Sequence, residues 1–346
     1  MTLHDAIDAL EAKPLLGPDR VQANKLAHDL TLRIDPDAAT ELALRVLIRR
    51  FYAQPITPQS LAQISSAEAW AAANNLTDLT TRIQLIWCAS VGRTHPDAVD
   101  SEILKAATAH AEAAQRFPVE RLLALAACNP EDADVYLQEV IPLMSEPCWA
   151  HLLFMSWLDL AAVRFRGADT NGGRAALESA LSVAEAYSDQ EALITANTRI
   201  GIHYLEVGLT NTAQPHLEAG LASAIEVEDD LQIVILSSLL CAMYIQQDER
   251  DRAATTADAL LISGARRANW FAVVDGHITR STLLVLDGDT SGAINRLVRA
   301  VMHLRELVPA GAINILKGRL AELRYELGAS QFDAHYQAAM QSNSAT

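Results

Sequence analysis

Residues 189–228 read DQEALITANTRIGIHYLEVGLTNTAQPHLEAGLASAIEVE, and residues 229–268 read DDLQIVILSSLLCAMYIQQDERDRAATTADALLISGARRA. Laid one under the other, they place Leu240 beneath Ile200, Cys241 beneath Gly201, Tyr244 beneath Tyr204, Asp248 beneath Gly208 and Ala253 beneath Ala213. The same step of 40 residues extends outward. It links Leu160, Ile200, Leu240 and Leu320 in a row broken only by Arg280. One place later it links the small residues Ala161, Gly201, Cys241, Ser281 and Ala321. A third row holds Thr170, Thr210, Arg250, Thr290 and Ser330, and a fourth holds Ala168, Gly208, Asp248, Gly288 and Gly328. Several unlike rows kept in register mark one supersecondary unit used repeatedly.

The unit is a pair of helices. Apolar residues recur at helical spacing, and hydrophobic residues make up 50% of the chain against only 5% aromatics; Ala and Leu, both strong helix formers, supply much of the apolar content. Breaks fall at Asn74-Asn75, Phe117-Pro118, Glu146-Pro147, Asp189, Asp229, Asn269 and Pro309, with an earlier one at Asp35-Pro36. Between them lie inner turns at Gly17, Gln54-Pro55, Gly92, Asn129-Pro130, Ala168, Gly208, Asp248, Gly288 and Gly328. Asp189, Asp229 and Asn269 stand where a side chain can accept from the free amides of a helix start. Gly208 suits the left-handed residue that closes a helix, and Thr210 is the expected cap of the helix after it.

Gly201 lies inside a helix, where glycine costs about 1 kcal/mol against alanine. Its row explains it: small residues there, answered by Ala213, Ala253 and Ala293 with Gly173 from the second helix, let two axes approach closely. Tyr204 and Tyr244, with Leu217 and Leu297, pack beside that contact. A pair so built leaves one apolar face that only the next pair can cover, so stacking is obligatory. The expected fold is therefore all-α, a right-handed α-solenoid of antiparallel helix pairs with about eight or nine hairpins.

Ile200-Gly201, Tyr204, Gly208, Ala213, Leu217 and Gly220 follow the tetratricopeptide motif of large, apolar-small, aromatic, Gly, then Ala, large and Ala, with Gly220 replacing the last Ala. Leu240-Cys241, Tyr244, Asp248, Ala253, Ala257 and Leu260 repeat it in part, and Ser281, Leu284, Gly288, Ala293, Leu297 and Ala300 repeat it well. The chain thus resembles a tetratricopeptide-repeat protein in a long variant, with a 40-residue step in place of the common 34. The resemblance covers about 148–340. Residues 1–147 read as a divergent helical-hairpin region or cap, with residues 2–52 as three helices, and residues 341–346 as a disordered polar tail.

Composition excludes several classes. With 43 acids against 27 bases the formal net charge is -16, a field that repels phosphate backbones. The densest basic group, Arg45, Arg49 and Arg50, lies in a segment (residues 1–52) with eight acids and seven bases, so nucleic acid is not an expected partner. Cys88, Cys128, Cys148 and Cys241 form no C-x-x-C pair and read as small apolar residues of a reducing, cytoplasmic setting. No basic, apolar leader opens the sequence, and the apolar run 231–245 is too short to span a bilayer.

No nucleophile–base pair, metal-ligand spacing or phosphate loop stands out, so the expectation is a non-catalytic chain without cofactor or metal. Asp287-Gly-Asp289-Thr-Ser291-Gly292 imitates a calcium loop, but its twelfth position is Val298 rather than a bidentate acid, so a turn is the expectation. What the resemblance implies is a concave groove lined by the first helix of each pair. The matching positions include Met155, Leu158, Asp159, Phe165, Arg166, Thr195, Thr198, Arg199, Ile202, Leu205 and Glu206, then Ile235, Ser238, Ala242, Ile245, Ile278, Thr282, Val285, Ile315, Arg319, Glu322 and Tyr325. The Lys and Asn set with which some members of that family grip a carboxyl terminus is missing. The expected function is a scaffold or adaptor that binds a protein or an extended or helical peptide through apolar anchors, with neighbouring loops, the N-terminal part or a second copy of the chain as rival occupants. Two other readings remain: a peptide- or ligand-responsive regulator, and an enzyme with a pocket between the N-terminal third and the repeats.

Overall fold

In the computed structural model the described residues are 58–344 together with isolated positions between Ala9 and Ile48. The three helices expected over 2–52, and the breaks at Asp35-Pro36 and Gln54-Pro55, fall outside them. All regular structure among the described residues is helical. The helices are α1 (Pro58–Ala73), α2 (Thr77–Gly92), α3 (Ser101–Ala113), α4 (Pro118–Cys128), α5 (Ala133–Val140), α6 (Ala150–Arg166), α7 (Thr170–Ala186), α8 (Gln190–Glu206), α9 (Thr210–Glu226), α10 (Asp230–Gln246), α11 (Arg250–Arg266), α12 (Trp270–Leu286), α13 (Thr290–Leu304), α14 (Ala310–Leu327) and α15 (Ala329–Ser344). Short 3-10 turns flank α3, α5 and α6. The chain forms two compact units, residues 1–196 and 197–346, whose boundary falls inside α8.

The local rule is stricter than the sequence suggests. Left-handed residues recur at Ala168, Ser188, Gly208, Glu228, Asp248, Ala268 and Gly288, every 20 positions. Each closes a helix in the same way. At Gly208 the backbone N–H donates to Leu205 O and that of Leu209 reaches back to Tyr204 O at 2.8 Å; Gly288 and Asp289 do the same to Val285 and Leu284. The period of 40 is thus two helix-and-turn modules of equal length.

The caps at the starts of the first helices follow expectation. Asp189 accepts from Ala192 N at 2.8 Å, Asp229 from Leu231 N and Gln232 N, and Asn269 from Ala272 N. The second helices differ. Thr210 is the first residue of α9, whose capping position is Leu209 with no side-chain bond. The caps are one place earlier, at Asp169 and Asp289, which accept from Gly172 N and Gly292 N. The left-handed residue at 168 or 288 leaves room for a single extended residue before the helix, so the cap cannot be the threonine. The calcium-like segment is spent in this turn, with Asp287 bound to Arg250 at 2.8 Å and Asp289 to α13.

In the unit formed by residues 1–196, α2, α3 and α4 enclose Leu85, Cys88, Ala107, Ala111 and Ala124. The α6–α7 contact buries Leu160, Ala161, Ala176 and Leu177. Gly173 makes room there: a Cβ would lie 2.4 Å from the Phe165 ring and displace it.

In the other unit the close contacts recur. Cys241 Sγ approaches Ala253 O at 3.8 Å and Ser281 Oγ donates to Ala293 O at 3.3 Å. A Cβ on Gly201 would meet Leu217 Cδ2 at 2.5 Å. The row ends early, because Ala321 is exposed. Phe332 and Ala339 of α15 join a core built by α12, α13 and α14, and residues 341–344 continue α15, where the Asn343 amide donates to Asn295 Oδ1 at 2.7 Å. Among the described residues no helix is long and apolar enough to cross a membrane.

Candidate functional site

The first helices of the unit 197–346 present one face that their partners leave uncovered. On α10 it carries Leu231, Ile235, Ser238, Ala242 and Ile245, spaced by three or four. The same offsets on α12 give Phe271, Asp275, Ile278, Thr282 and Val285. Ile235 is 38%, Phe271 57% and Ile315 of α14 44% exposed, although Val234, Leu236, Val274 and Leu316 beside them are buried. The opposite sides of these helices hold the core, so this exposure follows from the helical period rather than from looseness.

One polar bond ties the face together. Ser238 Oγ donates to Asp275 Oδ2 at 3.1 Å, joining α10 to α12. Burial raises the Asp275 carboxyl above its ordinary value, and the serine bond opposes that shift. On α14 Arg319 is held by Glu322 at 2.9 Å and Glu326 at 3.3 Å, with its side chain only 17% exposed. Gly311 and Gly318 on the same helix have open space where a Cβ would stand. Two glycines inside a helix cost stability, and nothing packs closely enough to demand them.

The anticipated groove residues divide between the two units. Met155, Leu158, Phe165 and Arg166 lie in residues 1–196. There Leu158 is 1% exposed and belongs to the core, Met155 and Phe165 are half-buried, and Arg166 is exposed at the end of α6. Thr198, Arg199, Ile202 and Leu205 lie on the part of α8 within the other unit. Arg199 is exposed and the other three half-buried. Ile235, Ser238, Ala242 and Ile245 share the α10 face, while Arg319 is turned into its acidic partners. Asp275 and Phe271 were not among the anticipated residues. The step of 40 from Ile235 and Leu231 points to both.

No family model matches the chain, and no curated protein matches it. Solved structures do. Aspartyl phosphate phosphatase F from Bacillus subtilis superposes with a TM-score of 0.47 at 12% identity, over 98% of this chain and 91% of that one. The apo form of the quorum sensor NprR from B. thuringiensis gives 0.47 at 11% identity, over 87% of this chain and 99% of that one. A Rap protein complexed with competence and sporulation factor gives 0.43 at 12% identity, over 94% and 96%. The activity, the sensing and the bound factor belong to those proteins.

Three of the four thiols offer little nucleophilic character. Burial pushes Cys88 and Cys241 up to about 12 and Cys128 to about 11, far above the range in which a thiolate forms at neutral pH. The Tyr244 hydroxyl is also raised, by burial and by Glu218. It donates to Glu218 at 3.1 Å and accepts from Arg252 at 2.9 Å, with that guanidinium 4.4 Å over the ring. This network joins α9, α10 and α11, and its role is structural.

Proposed function

We propose that the chain is a non-catalytic helical-repeat protein of tetratricopeptide type, and that the α10–α12–α14 face binds a peptide with apolar anchors. The exposed apolar residues Ile235, Phe271 and Ile315 carry this reading. These residues sit on neighbouring first helices, and a self-contained fold would place polar residues there. The bare backbone at Gly311 and Gly318 supports it by leaving room beside α14.

The occupant has a definable chemistry. Apolar side chains spaced along an extended or helical backbone match pockets at the helix step. Basic residues between them complement Asp275, Glu322 and the net charge of -16.

A displayed library of short peptides, panned on the full chain and assayed singly by fluorescence anisotropy, tests the reading. Apolar–basic peptides are expected to be enriched, and Ile235→Glu with Phe271→Glu to weaken them at least tenfold while circular dichroism stays unchanged. Equal binding by the folded double variant, or enrichment of no peptide at all, overturns it. Sedimentation of the wild-type chain tests the rival occupant, since concentration-dependent dimers that the double variant abolishes would assign the face to a second copy.

A further inference from the structure

The row of large apolar residues at Leu160, Ile200, Leu240 and Leu320 is interrupted by Arg280, and the structure shows that the interruption is not solitary. The slot that holds Asn197 and His216 in one pair, and Ser237 and Thr256 in the next, holds His277 and Arg296 in the third. Ala219 and Ala259 are followed by Arg299, and Ser223 and Ser263 by His303. Five positions of one repeat are basic, and at four of them, all but the Arg296 slot where His216 stands first, neither earlier repeat has a basic residue; the net charge of the chain is -16.

Four of these five, all but Arg280, line a cavity of about 400 Å³. Asn295, Arg296, Arg299 and His303 enter it from one face of α13, His277 and Leu284 from α12, and Ala300 and Leu304 add an apolar wall. On α12, 277 and 284 lie on the side opposite 275, 278 and 282, as 100° per residue requires. The cavity is therefore distinct from the peptide face.

Its polar groups are incompletely paired. In the first pair His216 Nδ1 and Asn197 Oδ1 meet at 3.1 Å. In the third, His277 Nδ1 and Arg296 Nε are buried with no hydrogen-bond partner among the described residues. The nearby carboxylate of Asp258 is engaged by Arg280 at 3.4 Å, and neither Arg296 nor Arg299 makes an ion pair among the described residues. Burial, then Arg296 and Arg299, lower His277 to about 4, and burial, then Arg280, lowers Arg296, with Asp258 opposing that shift in part. Arg299 is exposed and Arg280 is paired, so the cost of this crowding falls chiefly on the half-buried Arg296, whose Nε finds no acceptor among the described residues. The Asn343–Asn295 bond orients one further amide at the rim.

We propose that this cavity binds a small molecule bearing a carboxylate or phosphate group on an apolar body. The planar guanidinium of Arg296 offers a paired set of donors to two oxygens of such a group. Arg299 adds charge from the rim, His277 donates as the neutral imidazole, and Leu284 and Leu304 receive the apolar part. The volume lies in the range of small-ligand sites.

Isothermal titration calorimetry of the full chain at pH 7 with phenyl phosphate, benzoate and benzyl alcohol tests this. One or both anions are expected to bind with a Kd below about 1 mM, and the uncharged alcohol not to bind. The tighter anion tells phosphate from carboxylate chemistry. Arg296→Gln is expected to weaken that binding at least tenfold, as is Arg299→Gln, whose exposed side chain guards against loss of folding. Arg174→Gln in α7 should leave it unchanged. Binding of neither anion, equal binding of benzyl alcohol, or retention of affinity in the folded Arg299→Gln chain overturns the assignment. None of these outcomes depends on the peptide face.

Discussion

Gly201 and Leu217 form a contact whose energetics can be worked out in advance. Replacing Gly201 by Ala removes a helix-interior glycine, a gain of about 0.8 to 1 kcal/mol. The new Cβ, however, would stand 2.5 Å from Leu217 Cδ2 and 2.6 Å from its Cγ, with Ala213 O at 3.4 Å. Leu217 is 0% exposed, and its Cγ cannot retreat as a chain end could. Overpacking of this kind costs about 1 to 3 kcal/mol. Gly201→Ala should therefore be neutral to destabilising by about 2 kcal/mol. Leu217→Ala alone opens a cavity and costs about 2 to 5 kcal/mol. In the double variant the added methyl fills part of that cavity and the propensity gain is recovered, so the pair should fall short of additivity by about 1 to 3 kcal/mol. Urea unfolding of the four chains, followed by far-ultraviolet circular dichroism, measures the coupling. Additivity within about 0.5 kcal/mol would refute the close approach of α8 and α9.

At Gly208, φ is +77° with nothing within 4 Å of the Cβ position, so Gly208→Ala should cost about 1 kcal/mol through backbone strain alone, whereas Asp248→Gly at φ +59° relieves the same strain; paired urea midpoints should move in opposite directions. Tyr244→Phe removes the hydroxyl shared by Glu218 and Arg252, which stay paired with each other, and should cost about 0.5 to 1.5 kcal/mol; an unchanged thermal midpoint would show that the hydroxyl does not stabilise the α9–α11 packing. His277 is lowered to about 4 in the fold from an unfolded value near 6.5. Both states are neutral at pH 7, and below about 6.5 the unfolded chain takes the proton first. Stability should fall as pH drops from there toward 4, by on the order of 1 kcal/mol at pH 5 after allowance for solvent screening. In His277→Gln that component of the pH dependence should vanish from urea titrations at pH 7 and pH 5.

The fold was legible because each row of the repeat has one steric or hydrogen-bonding task, and small residues at 201, 241 and 281 or acids at 189 and 229 leave few alternatives. The caps of the second helices were misplaced by one residue. Threonine at 170, 210 and 290 has the chemistry of a cap, but the left-handed residue two places before it sets the helix start one position earlier. Ala321 matches its row in type but not in burial, since the last helix packs chiefly on a different neighbour. The site was harder to read. Asp275 interrupts an apolar row, and only the arrangement of α10 beside α12 reveals its bond to Ser238. Arg280 was visible as an anomaly, yet its companions lie at scattered positions that the sequence does not bring together.

The equal modules of twenty carry a consequence for how such a chain can change length. Removing residues 229–268 would splice Glu228 to Asn269, one left-handed junction replacing another, so the surviving helices keep their polarity. Thr198, whose hydroxyl is buried without a partner among the described residues, would then inherit the place of Ser238 beside Asp275. Excising twenty residues would instead set an inner helix where an outer one belongs and bring mismatched surfaces together. Growth and shrinkage of this array are thus quantised in pairs.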